Sequence, residues 1–321
     1  MARKPRIHFP GATYHVILRG NARQDIFSDD KDRYRFYEIL QKAHERFRFR
    51  VHAFCLMTNH VHLEIQVGEV PLSRIMQNIA LRYTQWFNRR YKKSGHVFQG
   101  RYKAVMVDAD EYLLELAAYI HLNPVRAGMT DQPENHRWSS HRAYLGKEHL
   151  AWLETGFILS QFATDEKKAR SQFARFVGGR VNEGRRCEFH GVKTQDNRIF
   201  GGDRFVDIVL AEAESLPERK PDVNAVVAAV KKLYGFSDDH LASRGRERES
   251  CEARGLAAWA TLEFSSGKLT ELAKLLGRDS STLTCAVRRI EKRREKDPGL
   301  VDKMERLRRK ILKSSYQNLT P

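Results

Sequence analysis

The chain has 321 residues, and 57 Lys and Arg against 40 Asp and Glu give it a net charge of +17 and a pI near 9.8. That length suggests about two domains with ample core, and that charge favours a polyanionic partner, nucleic acid ahead of membrane. No apolar run approaches the roughly 18 residues that span a bilayer, the basic N-terminus lacks the apolar core of a signal peptide, and Cys55, Cys187, Cys251 and Cys285 show no Cys-x-x-Cys spacing. A cytoplasmic protein with free thiols is expected, with no disulfide frame and no zinc site.

Residues 12–20 read as a first strand closed by a turn at Gly20-Asn21, with Arg19 and Arg23 flanking the turn. Residues 29–49 form an amphipathic helix opened by Asp29-Asp30, which suit the positive end of the helix dipole. A strand follows, apolar over 51–56 and alternating over 63–67, and between these stand His60 and His62. Alternate strand residues share a face, so the two imidazoles point the same way while Val61 turns into the opposite layer. Such a pair is half of a site for a divalent cation and needs a third ligand.

A second helix over 72–91 exits through Arg89, Arg90, Tyr91, Lys92 and Lys93 into Phe98-Gln99-Gly100-Arg101-Tyr102-Lys103. Cations interleaved with rings suit single-stranded nucleic acid, where cations track phosphates and rings stack on unpaired bases. Short strands adjoin near 95–107, and the strand, helix, strand, helix order indicates an α+β fold of ferredoxin-like type with an antiparallel sheet. A third helix opens at Asp108-Ala109-Asp110, closes at Asn123-Pro124 and carries Tyr119 four residues before Asn123. Residues i and i+4 lie one above the other, so a phenol able to act as nucleophile shares a face with a carboxamide able to complete the ligand set. Four residues after Tyr83, Tyr91, Tyr102 and Tyr112 come Phe87, Gly95, Met106 and Leu116, none of which ligates through oxygen or nitrogen.

Thr-Asn-His-Val-His-Leu at 58–63, Gly-His-Val-Phe-Gln-Gly-Arg-Tyr at 95–102, Tyr-Ile-His-Leu-Asn-Pro-Val-Arg-Ala-Gly at 119–128 and Trp-Ser-Ser at 138–140 resemble the REP-associated tyrosine transposases. These belong to the HUH class of single-tyrosine, single-strand DNA transposases. The resemblance covers about 1–150 and implies Tyr119 as the nucleophile and Asn123 as the amide ligand beside His60 and His62. Residues 152–176 read as helical, 178–204 as an interdomain linker rich in Gly, Arg and Asn, and the chain from 205 as helical again.

In the second half, Leu-Ala-Ser-Arg-Gly-Arg-Glu-Arg at 241–248, Ala-Arg-Gly-Leu-Ala at 253–257 and Leu-Thr-Glu-Leu-Ala-Lys-Leu-Leu-Gly-Arg-Asp-Ser-Ser-Thr-Leu at 269–283 resemble the C-terminal DNA-binding domain of the bacterial replication initiator DnaA. A helix ending at Gly277, a short turn and a second helix capped near Asp279 or Ser280 make a helix-turn-helix over 205–296. Arg278, Ser280, Ser281 and Thr282 stand where a recognition helix enters the major groove, and Arg244, Arg246 and Arg248 form a basic loop suited to phosphates. The initiator carries histidine where Ser280 stands, which implies a different sequence preference. Residues 297–321 are expected as a basic helical tail, solvated or frayed.

These readings together point to an enzyme that breaks and rejoins DNA. His60, His62 and Asn123 would hold Mg2+ or Mn2+, and Tyr119 would form a 5′-phosphotyrosine bond that conserves the phosphodiester energy. No Gly-x-x-x-x-Gly-Lys phosphate loop is present, so no nucleotide cofactor is expected. By resemblance the partners are single-stranded DNA hairpins and duplex DNA in a bacterial nucleoid, with no membrane and with monomer and homodimer both open. The rivals are a non-catalytic, domesticated DNA-binding regulator, a water-using metal nuclease with Tyr119 as a core phenol, and a phosphate hydrolase using His60.

Overall fold

The structure, a computed structural model, describes residues 7–192, 194–215, 221–237, 240–243, 245, 247–294 and 297–317. It divides into two units, Met1–Ser215 and Leu216–Pro321.

Unit one opens with β1 (Thr13–Arg19), a 3-10 turn at Asn21–Arg23, α1 (Asp30–Phe47), β2 (Arg50–Leu56), β3 (His60–Gln66), α2 (Leu72–Tyr91) and β4 (Lys103–Val107). Helices α3 (Ala109–His121), α4 (Asn123–Arg126), α5 (His141–Tyr144), α6 (Gly156–Ser160) and α7 (Glu166–Gly178) follow, then a 3-10 turn at Glu188–His190, β5 (Ile199–Phe200) and α8 (Asp203–Ser215). The sheet order is β2-β3-β1-β4-β5, with β1/β3, β2/β3 and β1/β4 antiparallel and β5 added parallel to β4. The first four strands with α1 and α2 make the expected ferredoxin-like arrangement, and β5 makes the sheet mixed where a purely antiparallel one was expected.

Alternation decides what each face of this sheet carries. Tyr14, Val16 and Leu18 of β1 and Val61, Leu63 and Ile65 of β3 are buried in one core with Phe36, Leu40, Ile75, Ile79 and Tyr83 from α1 and α2. The intervening residues of β1 and β3 therefore face the other layer, where α3 packs over β2 and β3. Helix α1 starts where the side chain of Asp29 accepts from the Asp32 amide and Asp32 accepts from the Asp29 amide, a reciprocal cap that satisfies two otherwise orphaned donors.

Asp32 also reassigns Arg90, which was expected to face DNA. The Arg90 guanidinium lies 2.5 Å from Asp32 and 2.5 Å from Asp29, and Tyr91 donates to the other Asp32 oxygen at 2.8 Å. Asp32 is fully buried, so a carboxylate in the core needs this cation, and Arg90 serves the fold. Arg90→Ala should cost about 1 to 3 kcal/mol, below the full value of a buried pair because the arginine is partly solvated. Urea unfolding checks it, and an unchanged midpoint would return Arg90 to the solvated surface.

The stretch 178–204 is no linker. Phe189 is fully buried, β5 pairs with β4, and Val206 and Val209 of α8 join the core of unit one. Glycine and arginine content pointed the sequence reading elsewhere because few apolar residues, each well placed, suffice to dock this segment. The first unit thus runs to 215 and not to 150 or 204.

Unit two is all helical: α9 (Val223–Tyr234), α10 (Arg248–Phe264), α11 (Leu269–Leu275), α12 (Ser280–Arg294) and α13 (Pro298–Gln317). Its core gathers Val226, Leu256, Trp259, Leu272, Leu283 and Ile290 with Leu300, Met304, Leu307 and Ile311. The expected solvated tail is therefore a core helix, its apolar residues recurring at three- and four-residue intervals among the charges. Gly255 lets α10 and α12 approach closely, since a Cβ there would lie 2.8 Å from Ile290. Among the described residues no helix is long and apolar enough to cross a membrane, and the four cysteines are free.

Candidate active site

On the α3 side of the sheet four histidines and one tyrosine come together. β3 presents His60 and His62 on one face, as their spacing requires, with ring centroids 4.9 Å apart. β1 presents His15, and the register sets Ile17 opposite His62 and Arg19 opposite His60. α3 supplies Tyr119 and the 3-10 turn supplies His190. The His15 ring lies 5.1 Å from His62, 5.7 Å from His190 and 6.0 Å from Tyr119, centroid to centroid. His15, His62, Tyr119 and His190 are all buried, at 1, 3, 5 and 8% exposure.

Two hydrogen-bond chains fix which ring nitrogens carry protons. His15 Nδ1 is 2.7 Å from the Phe189 carbonyl, which only accepts, so that nitrogen is the donor. Burial lowers the His15 pKa to about 4, so the ring is neutral near pH 7 and its Nε2 is a bare acceptor. His15 Nε2 is 2.8 Å from His62 Nδ1, so His62 Nδ1 must donate. Burial also drives His62 well below its ordinary pKa, and its Nε2 therefore keeps a free lone pair.

The second chain has the same logic. Asn59 Nδ2 donates to the Arg23 carbonyl at 3.0 Å, which turns Asn59 Oδ1 toward His60 Nδ1 at 2.7 Å. His60, lowered to about 4 by burial and then by Arg19, donates through Nδ1 and also keeps a bare Nε2. Neutral imidazoles with one nitrogen donated to a neighbour and the other left with its lone pair are the form in which histidine ligates a cation.

Tyr119 Oη lies 2.8 Å from His190 Nε2. Burial raises the phenol pKa, and the nearby Arg126 and Arg185 cations oppose that rise. Arg126 lies over the Tyr119 ring at 4.0 Å from its centroid and donates to the Tyr119 backbone carbonyl. Burial pushes His190 down to about 3, so a neutral ring faces the phenol. The site thus places a nucleophile-type oxygen beside a neutral imidazole and under a cation able to stabilise a phenolate.

Asn123 lies just past α3, in α4, half-buried, with its Nδ2 donating to the Ile120 carbonyl at 3.3 Å. Among the described residues no group of three His, Cys, Asp or Glu side chains is placed to hold a metal. The two bare imidazole nitrogens of His60 and His62 are donors of the kind that suit a divalent cation. The Tyr83 hydroxyl, by contrast, bonds the Ile26 carbonyl in the core.

Arg19, Arg23, Arg89 and Arg101 are exposed. The backbone around Arg19 is tied to the 95–101 stretch, with Gln99 donating to the Arg19 carbonyl and Asn21 to the Val97 carbonyl, both at 2.8 Å. The Ser140 hydroxyl of the 138–140 motif accepts from the Phe54 amide at 2.9 Å, which ties that motif to β2. In unit two Ser280, Ser281 and Thr282 are exposed at the start of α12 after a turn with Gly277 at φ +58°, and Arg248 is exposed at the start of α10. Arg278 is half-buried and donates to the Ser243 carbonyl at 2.5 Å. Arg244 and Arg246 lie outside the described residues.

Sequence reasoning missed His15, Asn59, Arg126 and His190. His15 carried a signal, since it sits on the same β1 face that the β3 histidines demand. His190 carried none, because its approach to Tyr119 depends on the docking of 187–200.

Residues 8–123 match the family model described as IS200-like transposase. This transposase-like region includes His15, His60, His62, Tyr119 and Asn123, whereas His190 lies beyond it. Similarity to curated proteins is to the chromosomal replication initiator DnaA and falls on the DnaA-like C-terminal part. That of Deinococcus radiodurans is 31% identical over 94 residues, 29% of this chain and 20% of the relative. That of Caulobacter sp. (strain K31) is 30% identical over 95 residues, 29% and 20%, and that of Mycoplasma pneumoniae 25% over 111 residues, 35% and 25%. The chain therefore spans a quarter or less of the length of these initiators. A solved structure described as a REP-associated tyrosine transposase bound to a REP hairpin aligns with 48% of this chain and 98% of its own, at 16% identity and a TM-score of 0.39.

Proposed function

We propose that the protein cuts and rejoins single-stranded DNA, with Tyr119 as the nucleophile. The observation that carries this reading is the placement of Tyr119 and the two bare Nε2 atoms of His60 and His62 in one cluster on one face of the sheet, within a region that matches IS200-like transposases. Tyr119 Oη would attack phosphorus, forming the phosphotyrosine bond as the bond to O3′ breaks and a 3′-hydroxyl leaves. His190 Nε2 stays hydrogen-bonded to the phenol and orients it, Arg126 offsets the charge on the phenolate once its proton is lost, and the departing 3′-oxygen takes up a proton in turn. His60, His62 and Asn123 are the residues that would hold Mg2+ or Mn2+, which when bound supplies Lewis-acid polarisation of the scissile phosphate.

The resemblance to the REP-associated tyrosine transposases implies a palindromic hairpin with a flanking tetranucleotide as substrate. Exposed Arg19, Arg23, Arg89 and Arg101 are suited to the strand backbone. The start of α12 is suited to duplex DNA in a major groove, with Ser280, Ser281 and Thr282 toward base edges. Ser281→Asp with Thr282→Asp should cut duplex affinity by at least about tenfold, because two carboxylates would enter the negative field of the groove, while the melting temperature holds. Fluorescence anisotropy with duplex and single-stranded probes reads this, and equal duplex affinity would remove α12 from the interface.

The test of the cleavage reading is incubation with end-labelled single-stranded palindromes and Mn2+, followed by a denaturing gel. A DNA-linked protein band that a chelator removes is expected; cleavage without that band would favour a water-using nuclease. One observation favours a second reading, a non-catalytic DNA-binding regulator: Tyr119 is 5% exposed beneath Phe189 and His190. Binding without cleavage across several palindromes would support it.

A further inference from the structure

His60 and His62 are separated from their neighbours by one difference: each hands its Nδ1 proton to another side chain, and each of those side chains is itself set by a backbone carbonyl. For His60 the chain is Arg23 carbonyl, Asn59 amide, imidazole. For His62 it is Phe189 carbonyl, His15 imidazole, imidazole. A carbonyl cannot donate, so each chain can be protonated in only one direction while its rings are neutral. Without the chain, a neutral histidine divides its proton between two nitrogens, and in one of the two forms the Nε2 lone pair is lost.

We propose that His15 is a positioning residue whose bond to the Phe189 carbonyl holds His62 in the Nδ1–H form, leaving Nε2 free to ligate a divalent cation. The inference rests on the metal reading of His60 and His62 given above and adds a residue and a chain segment to it. His15 touches neither metal nor DNA in this role. The carbonyl that orients it comes from the Glu188–His190 turn, outside the 8–123 match, so a stretch that looked like linker sets the state of the strand histidine. Asn59 supplies the matching control for His60 from the other side of the pair.

The test uses the intact chain labelled with 15N-histidine and no DNA. Two-bond nitrogen–proton correlations in the metal-free protein should show His62 as Nδ1–H in the wild type, a mixture of tautomers in His15→Leu, and Nδ1–H restored in His15→Gln. Glutamine can donate to the Phe189 carbonyl and accept from His62 as histidine does. Mn2+ titrated by calorimetry should bind about 10- to 100-fold more weakly to His15→Leu, the range for lost support of a ligating histidine, and within a few-fold of wild type to His15→Gln. An unchanged His62 tautomer in His15→Leu, or Mn2+ affinity equal to wild type there, overturns the proposal. Should His15→Leu fail to fold, His15→Gln carries the test, and a mixture of His62 tautomers in that variant overturns the proposal as well. Because neither readout needs cleavage, an absent Tyr119 adduct would end the cleavage reading without touching this one.

Discussion

Tyr119→Phe should abolish the covalent protein–DNA band outright while leaving the fold and single-strand binding in place. The phenyl ring would keep its packing against Phe189, 5.2 Å away between centroids, and its place beneath the Arg126 guanidinium. What is lost is the hydroxyl bonded to His190, a change worth on the order of 1 kcal/mol in stability. Against that small structural cost the chemical loss is complete, because phenylalanine offers no oxygen to attack phosphorus. The two readouts are the labelled band in a denaturing gel and the thermal melt of the same preparation. A surviving band would move the nucleophile to another tyrosine, and a collapsed melt would make Tyr119 a core phenol.

The second large effect concerns Glu64. It lies on the same β3 face as His60 and His62, opposite His15 of β1 and Ala53 of β2, and is fully buried. Neither carboxyl oxygen has a hydrogen-bond partner. Burial therefore raises its pKa well above the ordinary 4.5, and the group is held protonated in the folded state. The sign follows from proton counting: above about pH 4.5 the unfolded chain releases this proton while the folded chain keeps it, so stability falls as pH rises toward the folded-state pKa.

Glu64→Leu replaces an unsatisfied polar group with an apolar one of similar size and should stabilise unit one by about 1 to 3 kcal/mol. For a unit of this size that is about 2 to 4 °C for each kcal/mol, with the gain larger at pH 8 than at pH 5. Calorimetric melts at the two pH values test this. A lower melting temperature for the variant, or a gain independent of pH, would mean that Glu64 has a partner in solution.

The legible part of this protein was whatever short-range periodicity controls. The limits of α2, the shared face of His60 and His62 and the capped start of α1 all follow from rules that act within a few residues. The position of Tyr119 on α3 was legible for the same reason. What was not legible depends on long-range docking. His190 reaches Tyr119 across 71 residues and Phe189 reaches His15 across 174, and composition over 178–204 pointed away from structure altogether. Arg90 was read as a DNA-facing cation because its partner Asp32 is 58 positions away. The tail residues Leu300, Met304 and Leu307 were hidden among charges whose alternation is equally that of a surface helix.

The added strand β5 also bears on how this unit meets its own copies. A sheet normally ends in two rows of unpaired backbone groups that invite another chain to join, a hazard for aggregation. Here the β4 margin is taken by Ile199 and Phe200, with the Met106 amide donating to the Arg198 carbonyl and the Asp108 amide to the Phe200 carbonyl. The β2 margin is met by bridges from Val51 to Leu153 and from Cys55 to Ser139. Along these stretches both borders are closed by the chain itself, so self-association by strand addition would first have to peel away 139, 153 or 199–200.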